Sequence, residues 1–222
     1  METWRKDWAI KKCNTALQLS QGACGGSYGE GVIVICAAIS ALAAEVWPGP
    51  QKDRLRFVEL LKEFSPADLD LTRVSLPLLI DYLKANGHVY QARKLEKSLL
   101  DFDSSQVLIG SEVDKFESDI TALCPQLFLK NVRKFSYANL LYEQVRSCYA
   151  HEYRPGPLAE SWPMTSDQSS LVSYVNWVDK PIRRIHFHVQ WLLKVAVEAA
   201  GAIDAISKNL PKSDPAMWWV RG

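Results

Sequence analysis

The sequence predicts a mainly α-helical protein, an antiparallel helical bundle with a C-terminal β-hairpin and a long final helix. Apolar residues recur at steps of three and four over residues 2–20, which is typical of an amphipathic helix. Residues 32–47 are almost entirely apolar, the composition of a helix buried on all sides. Residues 170–178 and 183–189 instead alternate between two faces, which predicts two paired strands.

Length and composition indicate one globular domain over residues 1–222. Hydrophobic residues make up 48% of the chain and charged residues 23%, and the sequence contains neither an internal repeat nor a linker. The net charge of +1 supplies no global field for nucleic acid, so a polyanion would have to bind a local patch.

Cysteine usage and hydropathy predict a cytoplasmic protein that does not span a membrane. The five cysteines include no C-x-x-C pair, which indicates free thiols in a reducing compartment. Residues 1–12 are charged and unlike a secretory leader, and the apolar run 32–44 is shorter than the roughly 20 residues that span a bilayer.

The first half of the chain is divided by turn residues. Glycines cluster over residues 22–31 without the spacing of a phosphate-binding loop, so they predict a turn. A helix over 53–64 follows a Pro-Gly break, with Asp53 as its expected N-cap. A helix over 76–85 is closed by Asn86 and Gly87.

The second half carries the predicted site. We expect a helix over 111–123 with Asp114 at its third position, and a helix over 131–153 that Pro155 ends. Further expected elements are a short strand at 107–109, a hairpin over about 170–188 with its turn at 179–181, and a final helix over 190–208. Trp218 and Trp219 in the tail need a packing partner.

A helical wheel places two ionisable side chains beside one face of the helix over 131–153. The buried face is centred on Val145 and includes Leu141, Cys148 and Tyr149. Arg146 lies about 100° to one side and His151 about 120° to the other. The small residues Ser147 and Ala150 lie between them, so a second copy of this helix could dock there and bring two Arg and two His together.

This pair of side chains is suited to RNA cleavage without a metal. A neutral His151 could take the proton of a ribose 2′-hydroxyl and then act as an acid, while Arg146 holds the phosphate. Tyr153 could donate to the phosphate. Candidate substrate contacts besides these are Ser147, Arg154, Arg183 and Arg184.

The same residues are also consistent with a surface helix end that has no catalytic role. His151 would then interact with the helix dipole, and Arg146 would form a surface ion pair with Glu143. No metal or other cofactor is predicted: His186 and His188 share a strand face, but no carboxylate or cysteine stands beside them at ligand spacing.

The motif Arg146-x4-His151-x-Tyr153 resembles the R-x4–6-H motif of HEPN domains. Its fuller form, R-x4-H-x-Y, is similar to that of HEPN toxins paired with nucleotidyltransferase antitoxins. Residues 36–48 also look like the buried helix of such proteins.

The resemblance implies a metal-independent endoribonuclease whose site forms between the two subunits of a homodimer. His151 would be the general base, Arg146 the phosphate contact and Tyr153 a helper. Tyr153 would also be the residue to which a nucleotidyltransferase-like antitoxin transfers adenylate. Ser147 departs from the Asn, Asp or His that commonly follows the motif Arg. This departure favours the alternatives, a non-catalytic HEPN-like module that binds nucleotides or partners, or an unrelated helical protein.

Overall fold

The computed structural model describes residues 3–99, 107–161, 170–177, 180–206, 210 and 215. It confirms the predicted fold class: a mainly helical chain with a small antiparallel sheet near the C-terminus, followed by a long final helix. The helices are α1 (Trp4–Ser20), α2 (Tyr28–Val46), α3 (Asp53–Phe64), α4 (Leu76–Ala85), α5 (Val89–Glu96), α6 (Gly110–Val113), α7 (Glu117–Leu123), α8 (Leu129–Arg133), α9 (Tyr137–Leu140), α10 (Ser147–Glu152) and α11 (Val189–Ala205), with a π-helical segment, Leu141–Arg146, between α9 and α10.

Helix α2 lies at the centre of the core and packs against α1, α3 and α11. It starts at Tyr28, earlier than predicted, because Ser27 and Glu30 form a capping box at its N-terminus. It is not buried on all sides as expected, since Ala37, Ala41 and Glu45 form an exposed stripe.

Arg5 connects α1 to α2 and α11 through ion pairs. Its guanidinium pairs with Glu45 of α2 and donates over 3.1 Å to the buried carboxylate of Asp204 on α11. The charge of Glu45 near the C-terminal end of α2 is thus partnered by α1.

The length and hydropathy of α2 would suffice to cross a membrane. Its 19 residues reach a mean hydropathy of 1.8, so the helix is longer than the apolar run 32–44 suggests. A helix at the centre of a globular core has the same length and composition. In this fold, 56% of the 18-residue stretch of α2 with that hydropathy is buried against the rest of the chain.

The sheet has the strand order β1 (Leu108–Ile109), β2 (Val172–Trp177) and β3 (Lys180–Phe187), all antiparallel. The predicted strand at 107–109 and the predicted hairpin are therefore confirmed, with Tyr174 opposite Ile185. Lys180 and Pro181 belong to β3 rather than to the turn, while Asp179 lies outside the described residues. Trp218 and Trp219 also lie outside them.

The predicted helix over 111–123 is wrong, because the chain is broken there into α6 and α7. Asp114 ends α6 and is buried in the core. Its carboxylate accepts the hydroxyls of Tyr137 and Tyr174, each at 2.5 Å, and the backbone N–H of Leu76 at 2.8 Å. One carboxylate thereby joins α4, α9 and β2.

Asp53 begins α3 as predicted but is not its N-cap, a position that Lys52 occupies without a side-chain bond. Its carboxylate is used elsewhere, in a pair with Arg146. The bounds of α3 and α4 otherwise agree with the sequence.

Stability should depend on the protonation of Asp114. Burial raises the pKa of this carboxyl from 3.8 to about 7, against the hydrogen bonds, which lower it. The folded state therefore binds a proton that the unfolded chain releases between these values. The contribution to stability is complete below pH 3.8 and is lost as the pH rises through about 7.

Asp114→Asn should remove this dependence, because the amide resembles the neutral carboxyl. The free energy of unfolding of the wild type relative to the variant should fall by up to about 1.4 kcal/mol per pH unit within that window. Urea unfolding of both proteins from pH 4 to 8 measures this difference. A difference that stays constant over the range contradicts the prediction.

Candidate active site

The candidate site lies at the C-terminal end of one continuous helical stretch, α9, the π-helical segment and α10, called here the site helix. It begins at Tyr137 and not at residue 131, because Ser136 is its N-cap and accepts the N–H of Asn139. Its end at Glu152, with Tyr153 as C-cap, agrees with the prediction. Arg146, Ser147 and His151 all project from this stretch.

The π-helical segment alters the predicted wheel, since its i→i+5 bonds displace the residues that follow. Val145, Leu141 and Tyr149 are buried as expected. Cys148, predicted to be a core thiol, is only half-buried, and its Sγ lies 3.1 Å from the carbonyl oxygen of Glu143.

Arg146 turns toward α2 and α3 instead of flanking an open face. Its Nη2 lies 2.5 Å from a carboxylate oxygen of Asp53, and its Nε donates over 3.4 Å to the hydroxyl of Ser40. The guanidinium also covers the ring of Tyr142, and the side chain is 20% exposed. Glu143, the partner expected in an ordinary helix end, pairs with Arg54 over 2.8 Å instead.

His151 remains on the surface. It lies in the last turn of α10 and is exposed, as is its neighbour Ala150. Ser147, one turn earlier, is half-buried. This surface of α10 is therefore open to a second molecule near His151, while Arg146 approaches from the side of α3.

Tyr153 is held in an unusual conformation. Its φ of 56° and ψ of 30° lie in the left-handed region, and its N–H donates to the carbonyl of Tyr149. The side chain is 64% exposed, and its hydroxyl donates to the carboxylate of Glu30. Hydrogen bonds from Ser27 and Tyr153 lower the pKa of Glu30 to about 2.

The chain folds back over the site helix immediately after it. The N–H of Gly156 donates to the carbonyl of Gln144 over 2.7 Å, and the N–H of Leu158 donates to the side-chain oxygen of Gln144. A Cβ at position 156 would lie 3.0 Å from the Sγ of Cys148, so glycine permits this close return.

The remaining arginines predicted as substrate contacts are spread over a wider area. Arg154 is exposed beside Tyr153 and pairs with Glu152 at 2.8 Å. Arg184 of β3 pairs at 3.5 Å with the buried carboxylate of Glu160. Burial lowers the pKa of Arg183, and the nearby charge of Asp81 on α4 opposes this shift. The structure thus places Arg154 at the end of the site helix and Arg183 on strand β3, which packs against α4.

A cavity of about 440 Å³ opens beside Tyr153. The N-terminus of α2 forms one wall and the end of the site helix the other. The residues that line it are Ser27, Tyr28, Gly29, Tyr149, Tyr153, Arg154, Pro155 and Ser161.

His186 at the end of β3 and His188, which follows the strand, are buried in the core. Each of the two residues is 2% exposed. The Nδ1 atom of His186 lies 3.0 Å from the carbonyl oxygen of Glu160. The Nε2 atom of His188 lies 3.1 Å from the hydroxyl oxygen of Ser173. Burial lowers the pKa of His186. The described part of the chain contains no group of three or more His, Cys, Asp or Glu able to hold a metal ion.

Sequence reasoning missed the two carboxylates that position the site. The pairing of Asp53 with Arg146 spans 93 positions and has no local signal. The role of Glu30 at the start of α2 could have been predicted, because Ser27 and Glu30 have the spacing of a capping box. Nothing in that spacing indicates the contact of Glu30 with Tyr153. Comparison with family models, curated proteins and solved structures gives no match for this chain.

The backbone of Tyr153 should be a source of strain. Glycine adopts the left-handed region without the steric cost of a side chain, so Tyr153→Gly should raise the free energy of unfolding by about 0.5–1 kcal/mol. Urea unfolding measures the gain. Tyr153→Phe, which removes only the hydroxyl, should leave stability within about 0.5 kcal/mol of the wild type.

Gln51→Gly is the matched control, because Gln51 has a φ of 60° outside the site. It should give a similar gain. A loss of stability in Tyr153→Gly together with a gain in Gln51→Gly would show that contacts of the ring outweigh the strain.

Proposed function

We propose that the chain is a metal-independent endoribonuclease of the HEPN type, possessing a site completed by a second copy. The observation that carries the proposal is the presentation of Arg146, His151 and Tyr153 by one helix end. His151 and Tyr153 are exposed there, and Arg146 is fixed by Asp53 within reach of the surface.

The proposed reaction uses the neighbouring ribose as nucleophile. His151 takes the 2′-hydroxyl proton while the 2′-oxygen bonds to the adjacent phosphorus. The bond from phosphorus to the 5′-oxygen breaks, and that oxygen receives a proton. The products are a 2′,3′-cyclic phosphate and a 5′-hydroxyl. Arg146 stabilises the charge that builds on the phosphate oxygens.

A second copy supports this chemistry in two ways. In-line displacement needs a base and an acid on opposite sides of phosphorus, so a partner His151 would supply the second group. The surface at Ala150 is exposed and Ser147 is small, so a twin helix can approach closely. A homodimer with two-fold symmetry makes the same contacts from both sides.

The ion pair of Arg146 does not prevent phosphate binding. Asp53 also pairs with Arg56, so its charge stays compensated when Arg146 turns toward a phosphate. A guanidinium has five donors and can contact both groups.

Regulation and location follow from the same proposal. The exposed hydroxyl of Tyr153 would be accessible to a nucleotidyltransferase-like antitoxin, and adenylate attached there would obstruct His151. RNA as substrate would place the activity in the cytoplasm.

A second candidate is a non-catalytic HEPN-like module that binds nucleotides or partner proteins. Ser147 favours it, because a serine cannot act as acid or base where active members of the family commonly carry a titratable or amide side chain. The ion pair between Arg146 and Asp53 would then be structural.

His151→Ala should lower RNA cleavage by about 100-fold or more, since general acid–base catalysis contributes that much. Purified wild type and variant are incubated with single-stranded RNA in the presence of EDTA, and the ends of the products are analysed. We expect a cyclic phosphate end and no effect of EDTA. His88→Ala, which changes the exposed N-cap residue of α5, is the control. A wild type that leaves RNA intact without any partner supports the binding module instead.

Ala150→Arg should convert a dimer into a monomer and abolish cleavage, because a large charged side chain would occupy the proposed contact. Light scattering after size-exclusion chromatography measures the mass, and the same fractions are assayed on RNA. Ala85→Arg, at an exposed position on α4, should change neither property. An active monomer would contradict the composite site.

A further inference from the structure

We propose that the cavity beside Tyr153, called here the tyrosine cavity, binds a nucleobase next to the cleaved phosphate. Its use as an RNA subsite rests on the proposed ribonuclease function. The occupant follows from three features of its lining: the aromatic walls, the carboxylate at its edge and its position relative to His151.

The walls of the tyrosine cavity are aromatic. Tyr28, Tyr149 and Tyr153 all line it, and the rings of Tyr28 and Tyr149 lie 6.4 Å apart at an angle of 58°. Tyr28 is fixed by its hydroxyl, which donates to the carbonyl of Phe187 over 2.9 Å. Rigid tyrosine rings are the surfaces on which single-stranded bases stack in proteins.

The volume of the cavity, about 440 Å³, is that of a small-molecule site. Its shape depends on Gly29, where a Cβ would lie 2.9 Å from the Cε1 of Tyr149. Any side chain at this position therefore displaces the Tyr149 ring, which is itself buried.

Charge at the cavity edge favours a base over a phosphate. Glu30 accepts from Ser27 and Tyr153, two of the lining residues, and Arg154 is already paired with Glu152. A phosphate would be repelled by the carboxylate of Glu30 there. The amino group of a base would instead find an acceptor, as carboxylates provide for the amino group of cytosine. Cytosine, adenine and guanine carry such a group, and uracil does not.

Position connects the cavity to the proposed chemistry. Tyr153 and Arg154 at its edge follow His151 by two and three residues. A nucleotide with its base in the cavity would therefore have its sugar and phosphate at the end of the site helix, where His151 is exposed.

The test measures binding of the four nucleosides to the full-length protein by calorimetry. Nucleosides lack a phosphate and share the same ribose, so differences in their binding report the base. We expect cytidine, adenosine and guanosine to bind and uridine to bind most weakly. Gly29→Ala should weaken binding roughly tenfold, the effect of losing one stacking contact. Gly201→Ala is the matched control, because its Cβ meets only the flexible side chain of Lys6 and binding should be unchanged.

Glu30→Gln tests the acceptor without changing the volume. It should reduce the preference of cytidine over uridine, while Glu63→Gln, at an exposed end of α3, should leave the preference intact. Equal binding of all four nucleosides, or Gly29→Ala binding as the wild type does, overturns the inference. So does the absence of nucleoside binding at millimolar concentration.

His151→Ala separates this inference from the proposed function. The variant should lose cleavage and keep nucleoside binding. A wild type that binds cytidine but cleaves no RNA refutes the ribonuclease and leaves the base site standing. A wild type that cleaves RNA but binds no nucleoside refutes only the base site.

Discussion

Burial of α2 is the constraint on which the arrangement of the other helices depends. Its inward residues, among them Ile35, Ile39 and Leu42, are almost completely removed from solvent, and each such side chain contributes about 1.5–3 kcal/mol. Helices α1, α3 and α11 and the π-helical segment all pack against it. The site helix is thus positioned by an apolar contact, and its polar groups are presented on a surface that this contact fixes.

The N-terminus of α2 also determines the conformation of the site. Glu30 accepts the backbone N–H and the hydroxyl of Ser27, which begins the helix, and the hydroxyl of Tyr153, which ends the site helix. Tyr153 keeps a left-handed backbone that a tyrosine rarely adopts. Strained residues persist where several contacts determine them, and such places are commonly functional. The strain and the contact with Glu30 therefore point to the same residue as the motif.

The parts of the fold that could be predicted have local causes. Breaks at Pro48–Gly49 and Asn86–Gly87 set limits for α3 and α4, and strict alternation identifies the hairpin. The parts that could not be predicted depend on distant partners. Asp114 interrupts a helical pattern because Tyr137 and Tyr174 bind its carboxylate in the core. Within the candidate site, the motif and the end of the site helix could be predicted from the sequence. The direction of Arg146 was not, since it depends on a π-helical segment and on Asp53.

Electrostatics limits how such a site would hold RNA. The net charge is only +1, and Arg146, Arg154 and Arg184 each have a carboxylate partner in the folded chain. Nonspecific affinity for nucleic acid comes from cations that neutralise phosphates. A phosphate that contacts these arginines must compete with their carboxylate partners. Replacing a carboxylate by a phosphate therefore adds little electrostatic attraction. Binding by this chain would therefore have to rely on stacking, shape and the second subunit. An aromatic cavity next to the helix end supplies the first of these contributions without additional positive charge.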